Sequence, residues 1–147
     1  MIEELINLLR DEKNINEVLL YLEQIDKCEI GKIVSMGDKT TWKNTMEAFS
    51  ILGFDTWKYA ISEMFTLLQD LNWPGALESR ELLASVSLDE YKKELNIAVK
   101  KAVDTDDVEW AVELIGFIID NCVLDLLNTD VKDKLKKIFF NTVINLQ

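Results

Sequence analysis

The fold of this chain is decided by the stretch from Leu67 to Leu83, which reads LLQDLNWPGALESRELL. One apolar helical stripe ends at Leu71, and a second begins after Pro74. Proline is tolerated in the first turn of a helix but not later, because it lacks a backbone N–H and clashes with the preceding turn. The stretch therefore predicts a helix, a tight turn, and a second helix that begins at about Trp73 or Pro74.

The turn residues each have a structural explanation. Asp70 and Asn72 are predicted to accept hydrogen bonds from the free N–H groups of the second helix. Trp73 is predicted to pack between the helices, and Pro74 to fix the first turn. The alternative is a recognition site formed by Asp70, Asn72 and Trp73. We favour the structural interpretation because each residue has a local role.

Helical spacing of apolar residues continues through the chain, as at Ile2, Leu5, Ile6 and Leu9. One proline and five glycines are too few for an all-β domain. We therefore predict one all-α domain over residues 1–147, with about seven or eight helices joined by short connections that favour antiparallel packing. The course of residues 29–38 stays undetermined.

Further expectations concern burial. The segment from Val108 to Cys122 is apolar on nearly every side, which predicts a helix at the centre of the fold. Gly116 within it is expected to permit close approach of a neighbouring helix. Cys28 and Cys122 lie in apolar patterns and are predicted to be buried, reduced thiols, as in a cytoplasmic protein.

A repeat is indicated by residue pairs at one fixed spacing: Asp70 and Asp104, Asn72 and Asp106, Pro74 and Val108. Recurrence at such a spacing is typical of helical arrays. The order Trp57, then QDLNWP at residues 69–74, then Asp106-x-x-Glu109-Trp110 resembles an uncharacterised family of bacterial HEAT-like helical domains with a QDxNWP turn, over about residues 55–120.

This resemblance implies a HEAT-like array of antiparallel helix pairs, an α–α superhelix. Proteins of this kind also look similar to small acidic immunity-type or accessory proteins of bacteria. For this chain the resemblance therefore implies a role in binding another protein, with a toxin as one example of a basic partner.

Charge limits the possible partners. The chain has 16 basic and 27 acidic residues, a net charge of −11. Nucleic acids and anionic membrane surfaces would be repelled, whereas a basic protein would be attracted. The alternative is that the charge serves only solubility. No apolar stretch reaches the roughly 18 residues that a membrane span needs, and the N-terminus has no signal-peptide pattern.

The densest acidic run contains Asp104, Asp106, Asp107 and Glu109, which are the candidate binding residues. An EF-hand calcium loop would need glycine at its sixth position and glutamate at its twelfth. Counted from Asp104, those positions hold Glu109 and Ile115, so the pattern fails. We favour a charged cap at a helix N-terminus for this run.

No catalytic or metal-binding residues are assigned, and no cofactor is expected. The chain has no histidine, no CxxC pair and no phosphate-binding glycine motif. The predicted function is a non-catalytic protein-binding module with an acidic surface. The alternatives are a small carboxylate-dependent enzyme, or a structural protein that self-associates through leftover apolar helix faces.

Overall fold

A computed structural model describes residues 1–122 and 127–145, with side chains up to residue 138. The described residues are helical and contain no β-strand, which confirms the all-α prediction. The α-helices are α1 (Ile2–Leu8), α2 (Ile15–Gln24), α3 (Ile30–Ser35), α4 (Trp42–Leu52), α5 (Phe54–Trp57), α6 (Ile61–Thr66), α7 (Ala76–Ala84), α8 (Leu88–Asp104), α9 (Val108–Asp120) and α10 (Thr129–Asn145).

The described helices are more numerous and shorter than the seven or eight predicted. The long helix expected before the QDLNWP turn is divided into α5, a 3-10 turn at Lys58–Ala60, α6, and another 3-10 turn at Leu67–Gln69. The undetermined stretch at residues 29–38 contains α3. No helix among the described residues is long and apolar enough to cross a membrane.

One hydrophobic cluster connects helices from α1 to α10. Its centre holds three aromatic rings, Phe65 of α6, Tyr91 of α8 and Phe117 of α9, with centroids 5.4 to 5.8 Å apart and edge-to-face geometry. Aromatic rings favour this arrangement because a positive ring edge meets a negative ring face. The buried indole of Trp110 donates to the backbone oxygen of Phe65 at 3.0 Å. These contacts join α6, α8 and α9.

The N-terminal helices are attached through both the core and polar contacts. Leu5 and Ile33 are fully buried. Arg10 donates to Asp38 Oδ2 at 3.0 Å, in the loop before α4. Hydrogen bonds from Thr40 and from Arg10 lower the pKa of Asp38 to about 2. The carboxylate therefore stays charged in this contact well into the acidic range.

The expectations about burial were wrong in three places. α9 has one buried face, but Val108, Val112 and Ile119 on its other side are exposed. A Cβ atom on Gly116 would meet nothing within 4 Å, so no neighbour approaches closely there. Cys28 and Cys122 are both exposed. Cys28 lies in a 3-10 turn and Cys122 in the turn that follows α9, where an apolar sequence pattern no longer reports which side faces the core.

Candidate functional site

The QDLNWP turn is built differently from the capping arrangement predicted for it. Asp70 Oδ1 accepts from the backbone N–H of Asn72 at 2.9 Å, so it closes the turn itself. α7 begins only at Ala76, after Gly75 in the left-handed conformation, and has no side-chain cap. Asp70 and Asn72 therefore do not cap α7, and Pro74 lies before its first turn. The left-handed glycine adds residues between the turn and the helix.

The helices that follow the two repeated turns do not begin at equivalent positions of the proposed repeat. They begin at Ala76 and Val108, whereas the proposed repeat pairs Pro74 with Val108. Pro74 precedes its helix, but Val108 is the first residue of α9. The two turns are therefore not superimposable residue by residue.

The turn holds the start of α7 against the start of α4. A Cβ atom on Gly75 would lie 2.7 Å from the backbone carbonyl carbon of Trp42 and 2.9 Å from the backbone nitrogen of Lys43. The rings of Trp42 and Trp73 contact each other with centroids 5.2 Å apart. Because φ of Gly75 is +92°, glycine is favoured here by both backbone conformation and space.

A groove of about 400 Å³ lies between α4 and α7, beside this contact. From α4 it is lined by Lys43, Met46, Glu47, Ser50 and Ile51. From α7 it is lined by Glu78, Glu81 and Leu82. We call these eight residues the acidic groove.

The acidic groove combines an apolar base with a charged rim. Met46 is buried, whereas 56% of the Ile51 surface is exposed. Glu47 lies on one wall, and Glu78 and Glu81 lie on the other. Among residues 1–122 and 127–138, none of these three glutamates forms an ion pair with a cation. Because one lysine also lines the groove, its three glutamates leave a net negative charge, next to exposed apolar surface.

One known protein family matches the part of the chain that forms both walls of the groove. The family described as "Domain of unknown function (DUF5071)" matches residues 37–145. The chain belongs to this family. No curated protein and no solved structure matches the chain significantly.

The DUF5071 match includes α4, α7 and the whole acidic groove, whereas α1 to α3 precede it. It also includes the turn between α8 and α9, which holds the acidic residues predicted as binding candidates. The match extends beyond the roughly 55–120 segment on which the sequence resemblance rests.

Asp104, Asp106, Asp107 and Glu109 surround the turn between α8 and α9, which we call the α8–α9 turn. Asp104 accepts from Lys100 Nζ at 2.5 Å and lies 3.5 Å from Lys134 Nζ. The hydrogen bond from Lys100 is the main cause of a lowered pKa for Asp104. Asp107 Oδ1 accepts from the Trp110 backbone N–H at 3.1 Å. Two of the four acids therefore form contacts within the chain.

The remaining two acids of the α8–α9 turn, Asp106 and Glu109, are exposed. Asp106 has a φ of +54°, so its backbone makes the sharp reversal between the helices. Aspartate is among the few non-glycine residues that adopt this conformation readily. Asp106 thus contributes to the geometry of the turn whatever else it does.

A second depression, of about 520 Å³, is lined by Asp89, Lys92, Lys93, Asn96, Ile97 and Asn128. The Asn96 amide donates to the Lys92 backbone oxygen at 2.8 Å and accepts from the Asn128 backbone N–H at 3.1 Å. Its polar groups are therefore used in joining α8 to the start of α10. Among the described residues, no group of three or more acidic or cysteine side chains is arranged to hold a metal ion.

Sequence reasoning missed the acidic groove. The apolar stripe of α4 follows Trp42, Met46, Phe49 and Leu52. Ile51 lies outside this stripe, so the sequence does indicate an apolar residue on the exposed side of α4. Nothing local in the sequence indicates that this side of α4 lies next to α7.

Proposed function

We propose that this chain is a non-catalytic protein-binding module and that the acidic groove binds a basic partner protein. The observation that carries the proposal is the set of three glutamates around an apolar base that have no ion-pair partner in the part of the chain that the structure describes. Cations of a basic partner would be attracted to this net negative charge. Apolar contact at the centre and charge at the rim is also the usual anatomy of protein interfaces.

Three finer proposals accompany this one. Within each of the pairs α6–α7 and α8–α9, the two helices contact each other, which supports a HEAT-like arrangement. The net charge of −11 supports an immunity-type or accessory role against a basic partner such as a toxin. The free thiols of Cys28 and Cys122 support a cytoplasmic location, because cysteines stay reduced there.

The test is a titration of the folded protein with a synthetic amphipathic peptide of lysine and leucine, followed by fluorescence anisotropy. The wild type is compared with a Glu47→Gln, Glu78→Gln, Glu81→Gln variant. We expect the variant to bind about tenfold more weakly, since it loses three exposed ion pairs of about 0.2–1 kcal/mol each and about 1.4 kcal/mol corresponds to a factor of ten. Rising salt should weaken wild-type binding through screening.

A matched control separates the groove from overall charge. Glu12, Glu17 and Glu23 are exposed glutamates on and before α2, outside the groove. Changing all three to Gln alters net charge equally and should change affinity by less than about threefold if the groove is the site. An equal loss in both variants, or no binding by the wild type, contradicts the proposal.

A second candidate function is self-association through α9. Val108, Val112 and Ile119 expose 44%, 45% and 63% of their surface on one side of this helix. Helical spacing places Glu109, Glu113 and Asp120 together along one edge of that apolar face. Pairing two copies of the face would therefore add like charges to the interface.

Light scattering at low and high salt tests this second candidate. Association of α9 faces should increase with salt, because the repulsion between acidic edges is screened. Binding of a basic partner in the acidic groove has the opposite salt dependence. Ile119→Asp should prevent the association, and a monomer at every salt concentration contradicts it.

A further inference from the structure

We infer that the segment of the partner that occupies the acidic groove is an amphipathic helix with cations on both sides of an apolar stripe. This inference rests on the proposed function and specifies the partner of the same site.

The shape of the groove suits a helix. Its α4 wall follows one face of the helix from Lys43 to Ile51, which at the rise of an α-helix is a length of about 12 Å. The α7 wall follows Glu78, Glu81 and Leu82, which are also neighbours on one helix face. A groove between two helices can take the side-chain ridges of a third.

Other modes of peptide recognition lack what they need here. Strand addition requires an exposed sheet edge, and the helices of residues 1–122 and 127–145 provide no strand. Recognition of a polyproline helix requires an aromatic-lined groove, and the eight lining residues include no aromatic side chain. A helix laid in a groove is the mode that uses apolar lining and a charged rim.

The distribution of charge specifies the pattern of the partner helix. Ile51 and Leu82, whose side chains are accessible, would contact apolar residues at i, i+3 or i+4, and i+7. Glu47 on the α4 wall and the two glutamates on the α7 wall would then contact cations on opposite flanks of that stripe. A partner helix with lysine or arginine on only one flank would leave one wall uncompensated.

The experiment compares two synthetic peptides of identical lysine and leucine content. In one, leucines recur with the helical period; in the other, they alternate with lysine at a period of two. We expect the helical-period peptide to gain helical circular dichroism on binding and to bind at least about tenfold more tightly. Ile51→Ser should weaken it about threefold or more, whereas Leu20→Ser, at an exposed position of α2, should not.

The outcomes separate this inference from the proposed function. If both peptides bind equally and both lose affinity in the triple glutamine variant, the groove binds basic chains but the helical occupant is overturned. If neither peptide binds the wild type, the proposed function fails as well. If the helical-period peptide binds more tightly but Ile51→Ser does not weaken it, the apolar stripe of the partner helix does not lie in this groove, and the inference is overturned.

Discussion

Acidic side chains in the α8–α9 turn and in the acidic groove differ in what their carboxylates contact. In the turn, Asp104 is paired with lysines and Asp107 caps α9. In the groove, Glu47, Glu78 and Glu81 have no ion-pair partner among the described residues. Two of the four acids in the denser sequence cluster are thus used for folding, and the other two are exposed. In the groove, none of the three glutamates is used in this way, and they lie on two helices that are distant in sequence.

Gly75→Ala should give the largest effect, because it breaks the contact that aligns the groove walls. A left-handed non-glycine residue costs about 1–2 kcal/mol, and the added Cβ would lie 2.7 Å from the Trp42 backbone. We expect urea denaturation to show a loss of about 2 kcal/mol or more in the free energy of unfolding. Peptide binding in the acidic groove should also fall in the fraction that stays folded.

Gly116→Ala is the matched control for this prediction. Gly116 lies within α9, and a Cβ atom there would have no neighbour within 4 Å. Alanine is more favourable than glycine inside a helix by about 0.5–1 kcal/mol, so this variant should be more stable than the wild type. Equal stability of Gly75→Ala and the wild type would show that the turn does not hold α7 against α4.

A smaller effect should distinguish the two acidic regions directly. Asp107→Ala removes the acceptor for the Trp110 backbone N–H and should lower the free energy of unfolding by about 1 kcal/mol, as loss of a helix cap does. Glu81→Gln should change it by less than about 0.5 kcal/mol, since this exposed side chain forms no ion pair among the described residues. Thermal and urea unfolding measure both values.

Peptide affinity should rank these two variants in the opposite order. Glu81→Gln should weaken binding in the acidic groove, whereas Asp107→Ala should leave it unchanged under conditions where the protein is folded. A Glu81→Gln variant that is destabilised as strongly as Asp107→Ala would mean that the groove acids, too, serve folding. The division between the two regions would then be wrong.

Local features of the fold could be predicted from the sequence because they depend on neighbouring residues. Apolar spacing of three and four identified helices, as in α1, where Leu5 and Ile6 are buried as the spacing predicts. The acidic cap on α9 was anticipated because the macrodipole and the free N–H groups act within one turn. Such interactions need no knowledge of which helices meet.

Features that depend on contacts between distant segments could not be predicted in this way. Gly75 touches the backbone of Trp42, which is far away in sequence, and that contact sets the acidic groove. The apolar pattern around Gly116 likewise could not show that one face of α9 is exposed. Periodicity reports which side of a helix is apolar, but the position of its neighbours decides how much of that side is covered.

The smallest effect concerns the titration of Asp104 in the α8–α9 turn. The hydrogen bond from Lys100 holds the pKa of this carboxyl below its ordinary value. A lowered folded-state pKa contributes stability above the unfolded-state value of about 3.9, and that contribution disappears as pH falls through the folded-state value. Lys100→Met should therefore raise the Asp104 pKa in a carboxyl-detected NMR titration and make stability less dependent on pH below about 4. Leu20→Ser, remote from this pair, should leave the titration unchanged. An Asp104 midpoint that does not move in Lys100→Met would show that the hydrogen bond from Lys100 does not hold this carboxylate in its charged form.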